Sequence, residues 1–273
     1  MYGFSQLCKK HLIIYNHGMG MKILVAEDNL MNRRLMELWL SEWGYDFDIV
    51  ENGRLAVEQF GRDRYELILM DIQMPEMDGL TASRKIRQDY HAEIPIIAIT
   101  AKGQNGLDNC AAYGITEILS KPIQEELLKQ KIERYTEGSL PNASSSNQDN
   151  LQGSVINLDY LMGISKGRTS FVTEMARLFI LQFPKELAAA ENALQQNDFV
   201  ALGKAAHSMK STVGFVGMHA GGLQLISELE RKSTENTSTS GSVHTLSTLF
   251  NQVKKIGQKA IFEMKDYLAE NAV

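Results

Sequence analysis

An apolar run with a carboxylate at its end constrains this chain more than any other feature: Leu67-Ile-Leu-Met70 leads directly into Asp71, and Pro75 and Gly79 then turn the chain. Four apolar residues with no polar alternation fit a parallel strand buried on both faces, and such strands need helices covering both sides of their sheet. Asp71 falls at the C-terminal lip of that strand, where open α/β sheets place their ligand chemistry. The structural alternative for an Asp at this point is that it caps the following helix.

The same pattern recurs on both sides of this run. Lys22–Ala26 is an apolar strand ending in Glu27 and Asp28, Phe47–Val50 is a second strand, Pro95–Thr100 ends on a hydroxyl, and Ile115–Ser120 runs into Lys121-Pro122. Helical segments are expected between them: about Asn29–Trp43, with Leu35, Leu38 and Trp39 at helical spacing, then Gly53–Phe60, Leu80–Tyr90 and Ile123–Tyr135. A weaker helix is expected over about Gln104–Tyr113, where Gly103, Asn105, Gly106 and Asn109 lower the propensity and leave a mobile element beside Thr100. Five strand–helix alternations predict a parallel, doubly wound sheet in the order 2-1-3-4-5. Two acids, a central Asp, a Thr and a Lys on neighbouring strand ends form a constellation suited to phosphoryl transfer.

Beyond this unit the composition changes. Residues 137–154 are rich in Ser, Asn, Gly and Gln and hold almost nothing to bury, so they read as a flexible linker. The remainder, 155–273, reads as an all-helical bundle: Asp159–Gly163, Arg168–Phe183, a helix opened by Pro184 and running to Asn197, Asp198–Val213, Ala220–Arg231 and Val243–Leu268, with a loop over Ser233–Ser242. On the Asp198–Val213 helix, His207, Lys210, Ser211 and Gly214 share one face, while Ala206, Met209 and Val213 share another.

With 273 residues, 44% of them hydrophobic, the chain can fill two cores. Its 28 basic and 33 acidic residues give a net charge of -5, and without a dense Lys/Arg run or a helix-turn-helix pattern no nucleic-acid surface is expected. No stretch approaches the roughly 18 apolar residues of a membrane span. Cys8 and Cys110 lack metal-ligand spacing, which suits a reducing, cytoplasmic setting. Residues 1–20 read as a leader or the tail of a preceding segment.

Residues 22–135, with their Met-Asp-x-x-Met-Pro-x-Met-Asp-Gly signature over Met70–Gly79, resemble a response-regulator receiver domain, and 21–136 are assigned to it. The resemblance implies a flavodoxin-like α/β fold, with Asp71 as phosphoacceptor, Thr100 as switch hydroxyl and Lys121 as phosphate contact. It also implies a Mg²⁺ held by Glu27, Asp28, Asp71 and the backbone carbonyl of Gln73. The segment Ile156–Gly217 resembles a histidine phosphotransfer (HPt) domain, with His207 the phosphoaccepting histidine, Lys210 the steadying cation, and Gly214 and Gly217 the small positions. Two departures stand out. Ser211 occupies a position that is often Gly, and Ile118 one that is often aromatic.

A phosphorelay protein is therefore expected, either complete or the C-terminal part of a hybrid histidine kinase. Its partners would be a sensor histidine kinase or other receiver and HPt domains, and His207 would be exposed to meet them. No glycine-rich phosphate loop and no kinase nucleotide pocket is recognisable, so ATP is not expected to be used directly. The alternatives are a haloacid-dehalogenase-type phosphatase, which wants an acid where Gln73 stands, and a non-phosphorylated interaction module.

Overall fold

Strands form where the apolar runs expect them: β1 (Lys22–Ala26), β2 (Asp46–Val50), β3 (Leu67–Asp71), β4 (Ile96–Thr100) and β5 (Glu117–Ser120). They pair in parallel in the order β2-β1-β3-β4-β5. The computed structural model describes residues 21–100, 110–137, 155–218, 221–235 and 240–271. Every residue of the central strands β3 and β4 is buried, which is why their sequences do not alternate, whereas the edge strand β2 carries Asp46 and Asp48.

Helices α1 (Leu30–Glu42) and α4 (Glu125–Glu137) cover the face bearing Ile23, Val25, Leu67, Leu69, Ile97 and Ile99. Helices α2 (Gly53–Phe60) and α3 (Gly79–Tyr90) cover the face bearing Leu24, Ala26, Ile68 and Met70. Of the weak helix expected near Gln104–Tyr113, Cys110–Tyr113 forms a short 3-10 turn, and positions 101–109 lie outside the described residues. The leader 1–20 and linker positions 138–154 also lie outside them.

The C-terminal part is helical: α5 (Leu158–Ile164), α6 (Thr169–Gln195), α7 (Phe199–Phe215), α8 (Gly222–Thr234) and α9 (Ser240–Glu270). The expected break at Pro184 does not occur, because α6 runs straight through it. Phe179, Phe183, Leu187 and Ala190 continue one buried stripe across the proline, and Pro184 itself is exposed. Burying each large side chain contributes about 1.5–3 kcal/mol, which together offset the roughly 3 kcal/mol cost of a proline inside a helix. Opposite Phe183, Gly257 of α9 lets the helices close: a Cβ there would lie 2.4 Å from the Phe183 ring. Of the loop expected over Ser233–Ser242, Ser233 and Thr234 lie in α8 and Ser240 opens α9, while positions 236–239 lie outside the described residues.

Helix α1 serves both parts of the molecule. It joins the sheet and the bundle in one apolar cluster through Leu35, Met36, Trp39 and Leu40, and it meets α6 and α7 of the bundle.

Candidate functional site

Parallel pairing brings the C-terminal ends of β1, β3 and β4 to one edge of the sheet, and with them Glu27, Asp28, Asp71 and Thr100. Asp71 does not cap α3. Asp78 does, accepting the Thr81 N–H at 2.8 Å. Asp71 Oδ1 accepts the Gln73 N–H at 3.0 Å, and Oδ2 accepts from Lys121 Nζ at 2.6 Å. The Lys121 N–H donates to the Thr100 carbonyl at 2.7 Å, tying the ends of β4 and β5 together. Gly79 packs so tightly beneath this edge that a Cβ would stand 2.0 Å from the Asp71 carbonyl oxygen.

Besides Lys121, the acids are held by residues that the sequence pattern did not single out. Glu27 Oε1 accepts from Asn32 Nδ2 at 2.6 Å, from the Asn29 N–H at 3.2 Å and from Lys121 Nζ at 3.2 Å. Arg33 Nη1 donates to the carbonyls of Glu27 at 3.0 Å and Asp28 at 2.6 Å, fixing the turn between β1 and α1. Carboxylate oxygens of Glu27, Asp28 and Asp71 all lie within 4.8 Å of one another. Burial and then the charge of Glu27 raise Asp28 to about 6, against the opposing pull of Lys121 and His207. Burial and Glu27 likewise push Asp71 upward. Burial alone would lower the Lys121 ammonium, but Glu27 and Asp71 outweigh it and hold it above its ordinary value. Three carboxylates facing one ammonium, all with oxygen donors, match what a hard divalent cation requires.

His207 lies on α7. Its Nδ1 stands 2.9 Å from Glu230 Oε1 on α8, and Lys210 Nζ donates to the other Glu230 oxygen at 2.5 Å. Burial would raise Glu230, but its hydrogen bonds to His207 and Lys210 prevail and bring it down to about 2. Nε2 of His207 is buried with no hydrogen-bond partner among the described residues. The expectation that His207 would be exposed is corrected here: its relative exposure is 7%. Helix α8 covers it on one side, and the start of α1 packs against α7 on the other. There Asn29 caps α1 with its Oδ1 and donates through Nδ2 to Thr212 Oγ1 at 2.9 Å. Thr212 passes its own hydroxyl to Glu186 Oε1 at 2.8 Å, as Ser208 does at 2.8 Å, and burial raises the Glu186 carboxyl.

The two expected centres therefore come together, with His207 close enough to Asp28 to act on its charge. Lys121 from one centre and Lys210 from the other line a single cavity of about 290 Å³ between the two parts. Among the small positions, Gly217 is required: its φ is +59° and a Cβ would meet Asn157 at 2.7 Å. Gly214 has open space around it. Sequence spacing missed Glu230, Glu186, Thr212 and Asn29. The first two lie on other helices than His207, and only Asn29, next to the acid pair at a helix start, carried a local signal.

Residues 23–133 match the response regulator receiver domain, and residues 174–256 match the Hpt domain. Hybrid signal transduction histidine kinase B of Dictyostelium discoideum is 38% identical over 128 residues, covering 42% of this chain and 6% of that protein. Signal transduction histidine-protein kinase BarA of Escherichia coli (strain K12) is 28% identical over 208 residues, covering 73% of this chain and 22% of that protein. Among solved structures, the receiver domain of sensor histidine kinase PA1611 from Pseudomonas aeruginosa PAO1 is 38% identical, covering 44% of this chain and 100% of that one, with a TM-score of 0.41. The chain spans less than a quarter of the length of either curated relative, at 6% and 22%.

Proposed function

We infer that this chain, in which a response-regulator receiver domain is followed by an Hpt domain, carries phosphoryl groups in a two-component phosphorelay by way of Asp71 and His207. The observation that carries this reading is a single cavity lined both by Lys121, which holds Asp71, and by Lys210, which shares Glu230 with His207, while Nε2 of His207 is buried with no hydrogen-bond partner among the described residues. We take 21–136 as the receiver unit, 137–154 as a linker and 155–273 as the HPt unit. Glu27, Asp28, Asp71 and the backbone carbonyl of Gln73 would hold Mg²⁺, which when bound supplies positive charge to the phosphoryl oxygens.

In the first step an Asp71 carboxylate oxygen attacks the phosphorus of a donor: the O–P bond forms as the donor's bond to phosphorus breaks, giving an acyl phosphate. Lys121 then turns from the carboxylate toward the new phosphoryl oxygens, and Thr100, at the end of β4, offers its hydroxyl. In the second step the lone pair of His207 Nε2 attacks that phosphorus, and Asp71 leaves as a carboxylate. The proton stays on Nδ1, so the ring becomes a phosphorylated imidazolium, and the Glu230 carboxylate at 2.9 Å balances its charge. Glu230 is thus a positioning residue that keeps Nδ1–H toward itself and Nε2 toward the acceptor path. Lys210, held by the same carboxylate, steadies the phosphoryl group.

A haloacid-dehalogenase-type phosphatase gains no support, since Gln73 cannot act as the second acid. The partners are a sensor histidine kinase and other receiver or HPt proteins, and the setting is cytoplasmic; no helix among the described residues is long and apolar enough to cross a membrane. Intact mass after incubation with acetyl phosphate and Mg²⁺ tests the reading. Wild type and His207→Gln should gain one phosphoryl group and Asp71→Asn should not. Equal labelling of all three would refute Asp71 as the entry point.

A further inference from the structure

The face of the bundle that carries His207 is occupied by the chain's own receiver, through contacts of two kinds. A polar bridge joins Asn29 to Thr212 of α7 at 2.9 Å, and Lys210, Ser211 and Gly214, which share the face of His207, line one cavity with Asn32, Trp39 and Lys121 of the receiver. Around it stands a rim of ion pairs with crossed signs. The receiver offers a cation, Arg34, to Glu174 in a two-pronged contact at 2.7 and 3.1 Å. It also offers anions to the bundle: Glu42 to Arg168 at 2.9 Å and to Lys166 at 3.2 Å, and Glu125 to Lys166 at 2.8 Å. A receiver surface of a single charge sign could not satisfy both halves of this rim, so the pattern selects one partner in one register. The 290 Å³ cavity, lined by Leu35 and Trp39 from the receiver and by Tyr160 and Phe215 from the bundle, leaves apolar packing between the two parts incomplete. Partly exposed ion pairs hold such a contact only weakly, so it can open reversibly.

We propose that self-docking masks His207 from other receivers, and that Arg34–Glu174 together with Glu42–Lys166/Arg168 are the contacts that select the chain's own receiver as the occupant of this face. An outside receiver then reaches His207 only when the rim opens, so the same residues that favour internal transfer hold back outward transfer. The signalling consequence rests on His207 being a phosphoacceptor, but the masking is tested without any phosphate.

The experiment is carbethoxylation of the full chain by diethyl pyrocarbonate, followed peptide by peptide by mass spectrometry, with exposed His91 and His244 as internal references. In wild type His207 reacts more slowly than His91. Arg34→Glu, which sets like charges face to face, speeds His207 by about threefold to fivefold, the range open to one partly exposed ion pair. Adding Glu174→Arg restores the pair with reversed polarity and slows His207 again, while both references stay constant. A His207 rate equal in wild type and Arg34→Glu overturns the proposal, as does a rise that Glu174→Arg fails to reverse. Failure of Asp71 to take up phosphate from acetyl phosphate would instead refute the functional reading and leave this result standing.

Discussion

Glu230 holds both functional side chains of the bundle with one carboxylate, His207 on one oxygen and Lys210 on the other. Because the pair keeps Glu230 at about 2, below its ordinary 4.5, it contributes stability that is complete above pH 4.5 and is lost as the pH falls toward 2. Glu230→Gln should therefore lower the urea midpoint relative to wild type at pH 6, and the difference should shrink steadily between pH 4.5 and 2. In the same variant the loss of a hydrogen bond to a charged group, about 1.5–3 kcal/mol, slows transfer to His207 by about tenfold or more. A constant offset in midpoint across the pH range would remove the charge from the argument. At this scale Asp71, Lys121 and His207 were legible because strand ends and helical spacing are local properties. Glu230 was not, since it meets His207 only through the packing of α7 on α8.

Among the elements, the strands and the order of the sheet were readable because a buried parallel strand leaves no room for polar alternation. Helix α6 was misread for a physical reason: a proline predicts a local cost, whereas the stripe from Phe179 to Ala190 that outweighs it is a tertiary property. That cost is still present in the folded chain. Pro184 is exposed, so Pro184→Ala gives up little packing while it restores an N–H to the helix ladder and removes the ring's clash with the preceding turn. The expected result is a gain of about 1–3 kcal/mol in the stability of the bundle, seen as a rise of several degrees in its calorimetric midpoint. An unchanged or lowered midpoint would mean that the helix accommodates the proline without strain. Transfer between Asp71 and His207 should not change, since Pro184 lies on the exposed face of α6 and Glu186 on the buried one.

The linker composition allowed the two units to meet but could not say how, because the residues that join them are far apart in sequence: Arg34 and Glu174 are separated by 140 positions. What the whole molecule adds is a competition between a continuous apolar core, which runs from the sheet through α1 into the bundle, and a charged rim that salt can weaken. The side chains of Arg34 and Glu174 are 39% and 40% exposed, so the rim is open to screening. Raising the ionic strength to about 1 M shortens the screening length to about 3 Å, comparable to the ion-pair distances themselves. Small-angle scattering of the full chain should then show a larger radius of gyration at high salt than at low salt. Glu42→Lys, which opposes Lys166 and Arg168 at once, should give the expanded value already at low salt, with little further change on adding salt. If wild type and Glu42→Lys scatter alike at both salt concentrations, the apolar contact of α1 with α6 and α7 holds the units together by itself, and access to His207 is set by packing rather than by charge.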